Sequence, residues 1–254
     1  MNVDNPLLTI SVAYYNEPKH LKEWINQKSI CDKMVMPIHL QIIDDGSQIT
    51  PASEIIKEGV SNISLYRVTE DLGFNSHGCR NLGMKVAPTS WVLLSDIDLS
   101  YPISTLNKIL LDIEDCKLSQ DYYYQPAHLN IINIININNF LIHKDTFWKT
   151  GGYDEEFTGI HYGDRPFLAN LNQFAVESDN GYFAYRLRWG RIWKTVPGLM
   201  KTEYPNDELI LHPESILDNP SLLKEFHHRI DIRNKSAEGR ASKKIIQFEW
   251  ERLI

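Results

Sequence analysis

Apolar positions along the chain gather into short runs, and polar turns separate one run from the next. Leu7 to Tyr15 (LLTISVAYY) is a continuous apolar and β-branched run of strand length, the pattern of a strand buried on both faces of a parallel sheet. Asn16, Glu17 and Pro18 break the run and open a helix. In it Leu21, Trp24 and Ile25 recur at i, i+3 and i+4, one stripe for packing on the sheet. Ile38 to Ile43 predicts a second strand ending in Asp44-Asp45-Gly46-Ser47, followed by a helical stretch from Ala52 to Glu58. Ile63 to Val68 reads as a third strand, Ser76 to Val86 as a helix, and Trp91 to Leu94 as a fourth strand that stops at Asp96-Ile97-Asp98. Strands alternating with helices predict an α/β fold with a mainly parallel sheet.

The second half has a different texture. Ile103 to Glu114 predicts a helix, Tyr122 to Gln125 and the Asn-rich Ile131 to Ile142 predict strands, and Asp145 to Lys149 a short helix before Gly151-Gly152. Gly181 to Trp193 is rich in Tyr, Arg and Trp, and Ser236 to Ile254 reads as a helical tail with Ile246, Trp250 and Leu253 on one stripe. No repeat or low-complexity linker divides the chain. The expectation is one continuous domain in two halves, residues 1–115 and 116–254.

Composition narrows the classes of function. At 254 residues, with 43% hydrophobic and 23% charged positions, the chain can bury a sizeable core. With 26 Lys+Arg against 33 Asp+Glu the formal charge is -7, which disfavours general nucleic-acid binding. Cys31, Cys79 and Cys116 are odd in number and widely spaced, which gives neither a disulfide framework nor a thiolate zinc site. Met1 to Pro6 does not fit a signal peptide, and no run approaches the roughly 18 apolar residues of a membrane span. A soluble cytoplasmic protein is the expectation. From Lys224 onward the tail has eight basic and five acidic residues, which reads as a solvated helix, with weak membrane-surface contact as the lesser reading.

Sheets of this kind bind ligands beyond the carboxyl ends of their strands, and three strands here end in polar residues: Tyr15-Asn16, Asp44-Asp45 and Asp96 to Asp98. Asp96 and Asp98 flank Ile97 directly after an apolar strand, so strand alternation puts both carboxylates on one side. Two hard oxygen donors with open coordination positions suit Mg²⁺ or Mn²⁺, which take further oxygens from phosphate. Asp-x-Asp is also common in surface loops. Asp44-Asp45-Gly46-Ser47 suits a turn or helix cap, or a carboxylate that accepts a hydrogen bond from a nucleobase imide. In the second half, Tyr182, Tyr185, Arg186, Arg188, Trp189, Arg191 and Trp193 read as core packing or as a surface that stacks a sugar and grips diphosphate. Cys79 reads as a small buried residue.

Five blocks in order resemble the nucleotide-sugar-dependent glycosyltransferases of the GT-A fold, family 2. They are Ile10 to Pro18 (ISVAYYNEP), Ile42 to Ser47 (IIDDGS), Leu72 to Ala87 (LGFNSHGCRNLGMKVA), Trp91 to Asp98 (WVLLSDID) and Gly151 to Phe167 (GGYDEEFTGIHYGDRPF). The last resembles an acceptor-side motif seen also in galactosyltransferases. The resemblance implies that Asp45 holds the base, that Tyr14 and Tyr15 line its pocket, and that Arg80 lies near the base or the diphosphate. It implies further that Asp96 contacts the ribose or the metal through water, that Asp98 binds the metal, and that Asp164 is the general base. A third metal ligand is expected downstream, with His212 (LILHPES, followed by Asn219-Pro220) ahead of His227 and His228. Asp154, Glu155 and Glu156 are candidates for acceptor hydroxyls, or Asp154 caps a turn. The chain departs from the family pattern at Gly163, where a Glu usually precedes the base, at Arg165-Pro166, and at Ala13.

The implied activity is metal-dependent, inverting transfer of a hexose or N-acetylhexosamine from a nucleoside diphosphate sugar, UDP first, to a hydroxyl of a glycan or lipid-linked acceptor. A sugar nucleotidyltransferase is the nearest rival, but Ala13 to Pro18 offers neither glycine nor lysine to cradle a triphosphate. A glycan-binding module without catalysis, suggested by Gly163, is the rival from another class. The oligomeric state is left open by the sequence.

Overall fold

A computed structural model describes residues 5–57, 61–73, 75–128, 139–155, 164–178, 180–186 and 245–254. Its centre is four parallel strands with two helices: β1 (Leu8–Tyr14), α1 (Pro18–Lys33), β2 (Ile38–Asp44), β3 (Ile63–Val68), α2 (Ser76–Val86) and β4 (Trp91–Ser95). These lie within two residues of the positions the apolar runs predict. The Ala52 to Glu58 stretch closes only a single 3₁₀ turn over Ala52–Glu54.

The parallel strands run in the order β3-β2-β1-β4. Strand order therefore reverses at β1, and the carboxyl ends of β1 and β4 flank the crevice where such sheets bind ligands. Successive residues of β2 face opposite ways, so Ile42 joins Leu21 and Trp24 of α1 in one core while Ile43 joins Cys79 and Leu82 of α2 in another. Helices thus cover both faces. Polar side chains inside the sheet serve the α2 contact: the Gln41 amide donates to Ser11 Oγ at 3.0 Å and to the Gly83 carbonyl at 2.9 Å. A Cβ at Gly83 would stand 2.3 Å from Ser11 Oγ, so glycine there sets how closely α2 approaches.

Beyond β4 the chain forms β5 (Leu99–Ser100), α3 (Ile103–Glu114), β6 (Tyr122–Tyr124), β7 (Ala127–His128), β8 (Phe140–His143), α4 (Lys144–Lys149), α5 (Asp164–Leu171), β9 (Val176–Ser178) and β10 (Phe183–Arg186). β8 pairs antiparallel with β4 and extends the main sheet through β6 to β9, while β5, β10 and β7 make a small second sheet. Ile142, Phe140, Phe147, Tyr153 and Phe167 build a further core against Val92 and Leu94, which ties the second half to β4.

The helical tail expected at the C-terminus is corrected where residues are described. Trp250–Arg252 form a strand, β11, antiparallel to β3. The stripe Ile246, Trp250, Leu253 suggests a helix, but Ile246, Phe248 and Trp250 also alternate, and all three pack against the core that holds Cys79 and Leu82. Pairing with the open edge of β3 satisfies backbone groups that a helix would leave exposed on that strand.

Candidate active site

The turn after β2 divides its two carboxylates between structure and chemistry. Asp44 accepts from the Ser47 amide at 2.9 Å and from the Ala52 amide at 2.8 Å, the turn-capping role open to this sequence. Asn16, at the end of β1, reinforces the turn by accepting from the amides of Ile49 at 3.1 Å and Thr50 at 3.0 Å. Asp45 is buried, and its Oδ2 accepts from the Asn75 amide at 2.9 Å. Its Oδ1 meets no hydrogen-bond partner among the described residues. Burial pushes the carboxyl up to about 7 despite the Asn75 bond and a hydrogen bond from the Cys79 thiol. A buried acceptor left over in this way suits the imide N–H of a bound base.

The two tyrosines expected around the base differ in exposure. Tyr14 is fully buried and donates to the Thr50 carbonyl at 2.5 Å, and burial pushes its hydroxyl up to about 12. Its ring belongs to the core that holds Leu21 and Trp24 of α1. Tyr15 is partly exposed and donates to Asp71 Oδ2 at 2.9 Å.

After β4 the chain turns instead of continuing extended. The Leu99 amide donates to the Asp96 carbonyl at 3.3 Å, and the Trp24 indole donates to the Ile97 carbonyl at 3.0 Å, pinning the loop to α1. The expectation that strand alternation aligns Asp96 with Asp98 is corrected here, because β4 ends at Ser95. Asp98 is buried. Asp96 accepts from Arg80 in an ion pair in which the Arg80 side chain is 5% exposed and that of Asp96 20%.

Arg80 is the hub of the site. From buried α2 it also donates to the Tyr153 hydroxyl at 3.3 Å, and its guanidinium lies 5.5 Å from the centre of that ring. Burial alone would weaken its charge, but Tyr153, Asp96 and Asp164 outweigh burial and hold the guanidinium protonated. Asp164, the first residue of α5, is pushed up to about 6, chiefly by burial and further by Asp96, while Arg80 and a hydrogen bond from Tyr153 draw it down. Asp164, from the second half of the chain, therefore lies within electrostatic reach of the Arg80–Asp96 pair.

Asn81, next to Arg80, fixes the second half from the opposite side. Its amide nitrogen donates to the Tyr153 carbonyl and to Glu155 Oε1, both at 2.8 Å, and its Oδ1 accepts from the Tyr153 amide at 2.8 Å. Glu155 also accepts from the backbone of Ile246 at 2.6 Å, so it braces the C-terminal segment. Asn81 and Tyr153 were missed as site residues. The signals were present in the Arg80-Asn81 pair and in Gly151-Gly152, both of which take φ of 80°.

A divalent ion fits the donors present. Two aspartates in one short turn supply hard oxygens, and Mg²⁺ or Mn²⁺ commonly binds through one or two carboxylates with phosphate completing the shell. Among the described residues no three His, Cys, Asp or Glu side chains converge as a full protein cage. His212, His227, His228, Glu156 and the basic aromatic positions Arg188, Trp189, Arg191 and Trp193 lie outside the described residues. A surface cavity of about 610 Å³ between α1 and the 3₁₀ turn, lined by residues including Lys22, Thr50, Glu54 and Lys57, contains none of the site residues.

The family model for glycosyl transferase family 2 matches residues 9–164, from β1 to the first residue of α5. No curated protein matches the chain. Among solved structures, S. aureus TarS 1-349 in complex with UDP-GlcNAc is 18% identical, with a TM-score of 0.58 over 75% of this chain and 61% of that one. Mannosyltransferase PcManGT from Pyrobaculum calidifontis, in complex with GDP-Man and Mn2+, is 14% identical, with a TM-score of 0.55 over 74% of this chain and 58% of that one. Longer TarS is matched over 38% of its length at 16% identity and a TM-score of 0.57, with 74% of this chain covered. At these identities the likeness establishes the GT-A fold, and the chain spans about three fifths of the TarS 1-349 length.

Proposed function

The chain belongs to glycosyl transferase family 2, and from that premise we propose that it is an inverting glycosyltransferase acting on a UDP-sugar donor and a hydroxyl of a glycan or lipid-linked acceptor. The observation that carries this reading is the ion pair of Arg80 with Asp96 at the carboxyl end of β4, with the buried Asp164 near enough to feel both charges. Asp45 receives the base, Asp96 and Asp98 serve the diphosphate side, and residues 116–254 receive the acceptor. A bound Mn²⁺ or Mg²⁺ would offset the charge that grows on the departing diphosphate.

Asp164 takes the proton of the attacking hydroxyl. A carboxylate held within reach of that proton contributes roughly 10²- to 10⁴-fold. Burial at its position raises the proton affinity of Asp164 toward that of a useful base, and Arg80 keeps the ionised form accessible. One displacement with one base inverts the anomeric carbon, so an α-linked donor gives a β-linked product. TarS and PcManGT, whose structures hold UDP-GlcNAc and GDP-Man with Mn2+, support the choice of a nucleotide-sugar donor.

The test is incubation of the full chain with Mn²⁺, a panel of UDP-sugars and glycan acceptors, reading UDP release and the anomeric configuration of the product. UDP release with a β-linked product is expected. Glycan binding without UDP release from any donor would identify a binding module, and retained configuration would reject Asp164 as the base of a single displacement.

A further inference from the structure

We propose that Tyr153 is a positioning residue for the transfer step, its hydroxyl joining the Arg80 guanidinium to the Asp164 carboxylate so that donor side and base share one fixed orientation. The inference rests on the assignment of Asp164 as base. The hydroxyl accepts from Arg80 Nη1 at 3.3 Å, and it lies near enough to Asp164 to favour the ionised form of that carboxyl. Arg80 in turn pairs with Asp96, so a single phenol stands between the two halves of the site.

The ring around that hydroxyl is held on every side. Tyr153 stacks on Phe167 of α5, with ring centres 4.0 Å apart and planes 11° apart, which seats the helix that begins at Asp164. Its backbone is gripped at both ends by Asn81, and His77 lies 5.5 Å from the ring on the α2 side. Packing alone would be served by a phenylalanine. A fully buried hydroxyl persists at low cost only when it is hydrogen-bonded, and here its partner is the charged Arg80 of the site. With ring and backbone immobilised, the hydroxyl has one direction in which to point, and it can hold the base without moving itself.

Tyr153→Phe keeps the stack and deletes the joint. The experiment compares the parent, Tyr153→Phe, Asp164→Asn and the double variant, using UDP released with Mn²⁺ from whichever UDP-sugar the panel shows to be turned over fastest. Tyr153→Phe is expected to lower kcat about tenfold, as loss of orientation does, with donor KM and calorimetric UDP binding within about twofold of the parent. The double variant is expected to be no slower than Asp164→Asn. Parent-like kcat in Tyr153→Phe beside an inactive Asp164→Asn overturns the inference and leaves the base assignment standing. A parallel loss of UDP binding would place Tyr153 in donor recognition and overturn it as well. Full activity in Asp164→Asn removes the base assignment, and the inference with it.

Discussion

Arg80 and Asp96 form an ion pair that ties the buried face of α2 to the turn after β4, with the arginine almost wholly enclosed and the aspartate partly open to solvent. The two ends of this pair are not equivalent. Arg80→Met breaks the pair with Asp96 and also removes the donor to Tyr153 and the positive charge near Asp164, and breaking a buried pair costs about 3–5 kcal/mol. Asp96→Asn leaves Arg80 hydrogen-bonded to Tyr153, with the Asp164 charge still nearby, and is expected to cost less. Urea unfolding of the two variants checks the order, and a larger loss in Asp96→Asn would mean that Arg80 depends on Asp96 alone.

Asp45 makes the stability of the ligand-free protein fall as pH rises. Its folded-state carboxyl is raised to about 7, so the folded chain binds the proton more tightly than the unfolded chain. That stability is complete below the ordinary carboxylate range and is lost as pH climbs through about 7. Asp164, raised to about 6, adds a smaller contribution of the same sign. Asp45→Asn keeps an acceptor for the Asn75 amide and removes the titrating group. Melting temperatures between pH 4 and 8 should fall more steeply with pH in the parent than in Asp45→Asn, and equal slopes would refute the assignment.

Gly46 lets the Asp45 turn close. It sits at φ 71°, and a Cβ there would stand 2.5 Å from the Glu70 carbonyl oxygen and 2.9 Å from Asp71 Cα, both backbone atoms that cannot swing aside. Gly46→Ala is expected to destabilise by about 1–3 kcal/mol and to weaken UDP binding, since Asp71 holds Tyr15. Denaturant unfolding with UDP calorimetry measures both. Intact UDP affinity would separate this turn from the base pocket.

The parallel half of the fold was legible because a strand buried on both faces has few polar positions, as in Leu8–Tyr14 and Ile38–Asp44. Asp45, Arg80, Asp96 and Asp164 could be picked out because each sits at a strand end or in a recognisable block. What sequence could not carry was partnership across distance. Nothing local to Asp44 and Asp45 says which one caps the turn, since the answer depends on Ser47, Ala52 and Asn75. Glu155 looked suited to an acceptor, yet it is committed to Asn81 and to the backbone of Ile246, about ninety positions away. The C-terminal strand was missed for a similar reason: its partner, the open edge of β3, lies far away in the chain.

Asp98 and His212 are separable by their metal dependence. Asp98→Asn replaces an anionic oxygen donor with a neutral one, and the Mn²⁺ concentration that half-saturates UDP release should rise at least about tenfold, the scale expected for metal-site changes. His212→Ala should raise it also if this histidine completes the site. Titrating Mn²⁺ at fixed donor reads both. A parent-like curve for Asp98→Asn would remove the turn after β4 from the metal site, and one for His212→Ala would leave His227 and His228 as the histidines to test.

Asp164 sets the sign of the pH dependence of turnover. A general base works only when ionised, and this carboxyl is raised to about 6 by burial, so kcat should climb as pH rises through about 6 and level off above it. The direction is opposite to that of stability, because the ionised form that catalysis requires is the form the folded state disfavours. Asp164→Asn should abolish the acid limb and lower turnover by roughly 10²- to 10⁴-fold. UDP affinity should be unchanged, and stability at pH 8 equal to the parent or higher, since a buried charge is gone. Rates from pH 5 to 8, corrected for the fraction folded, test the point. If the limb persists in Asp164→Asn, it belongs to another group, and Asp45, raised to about 7, is the next to test.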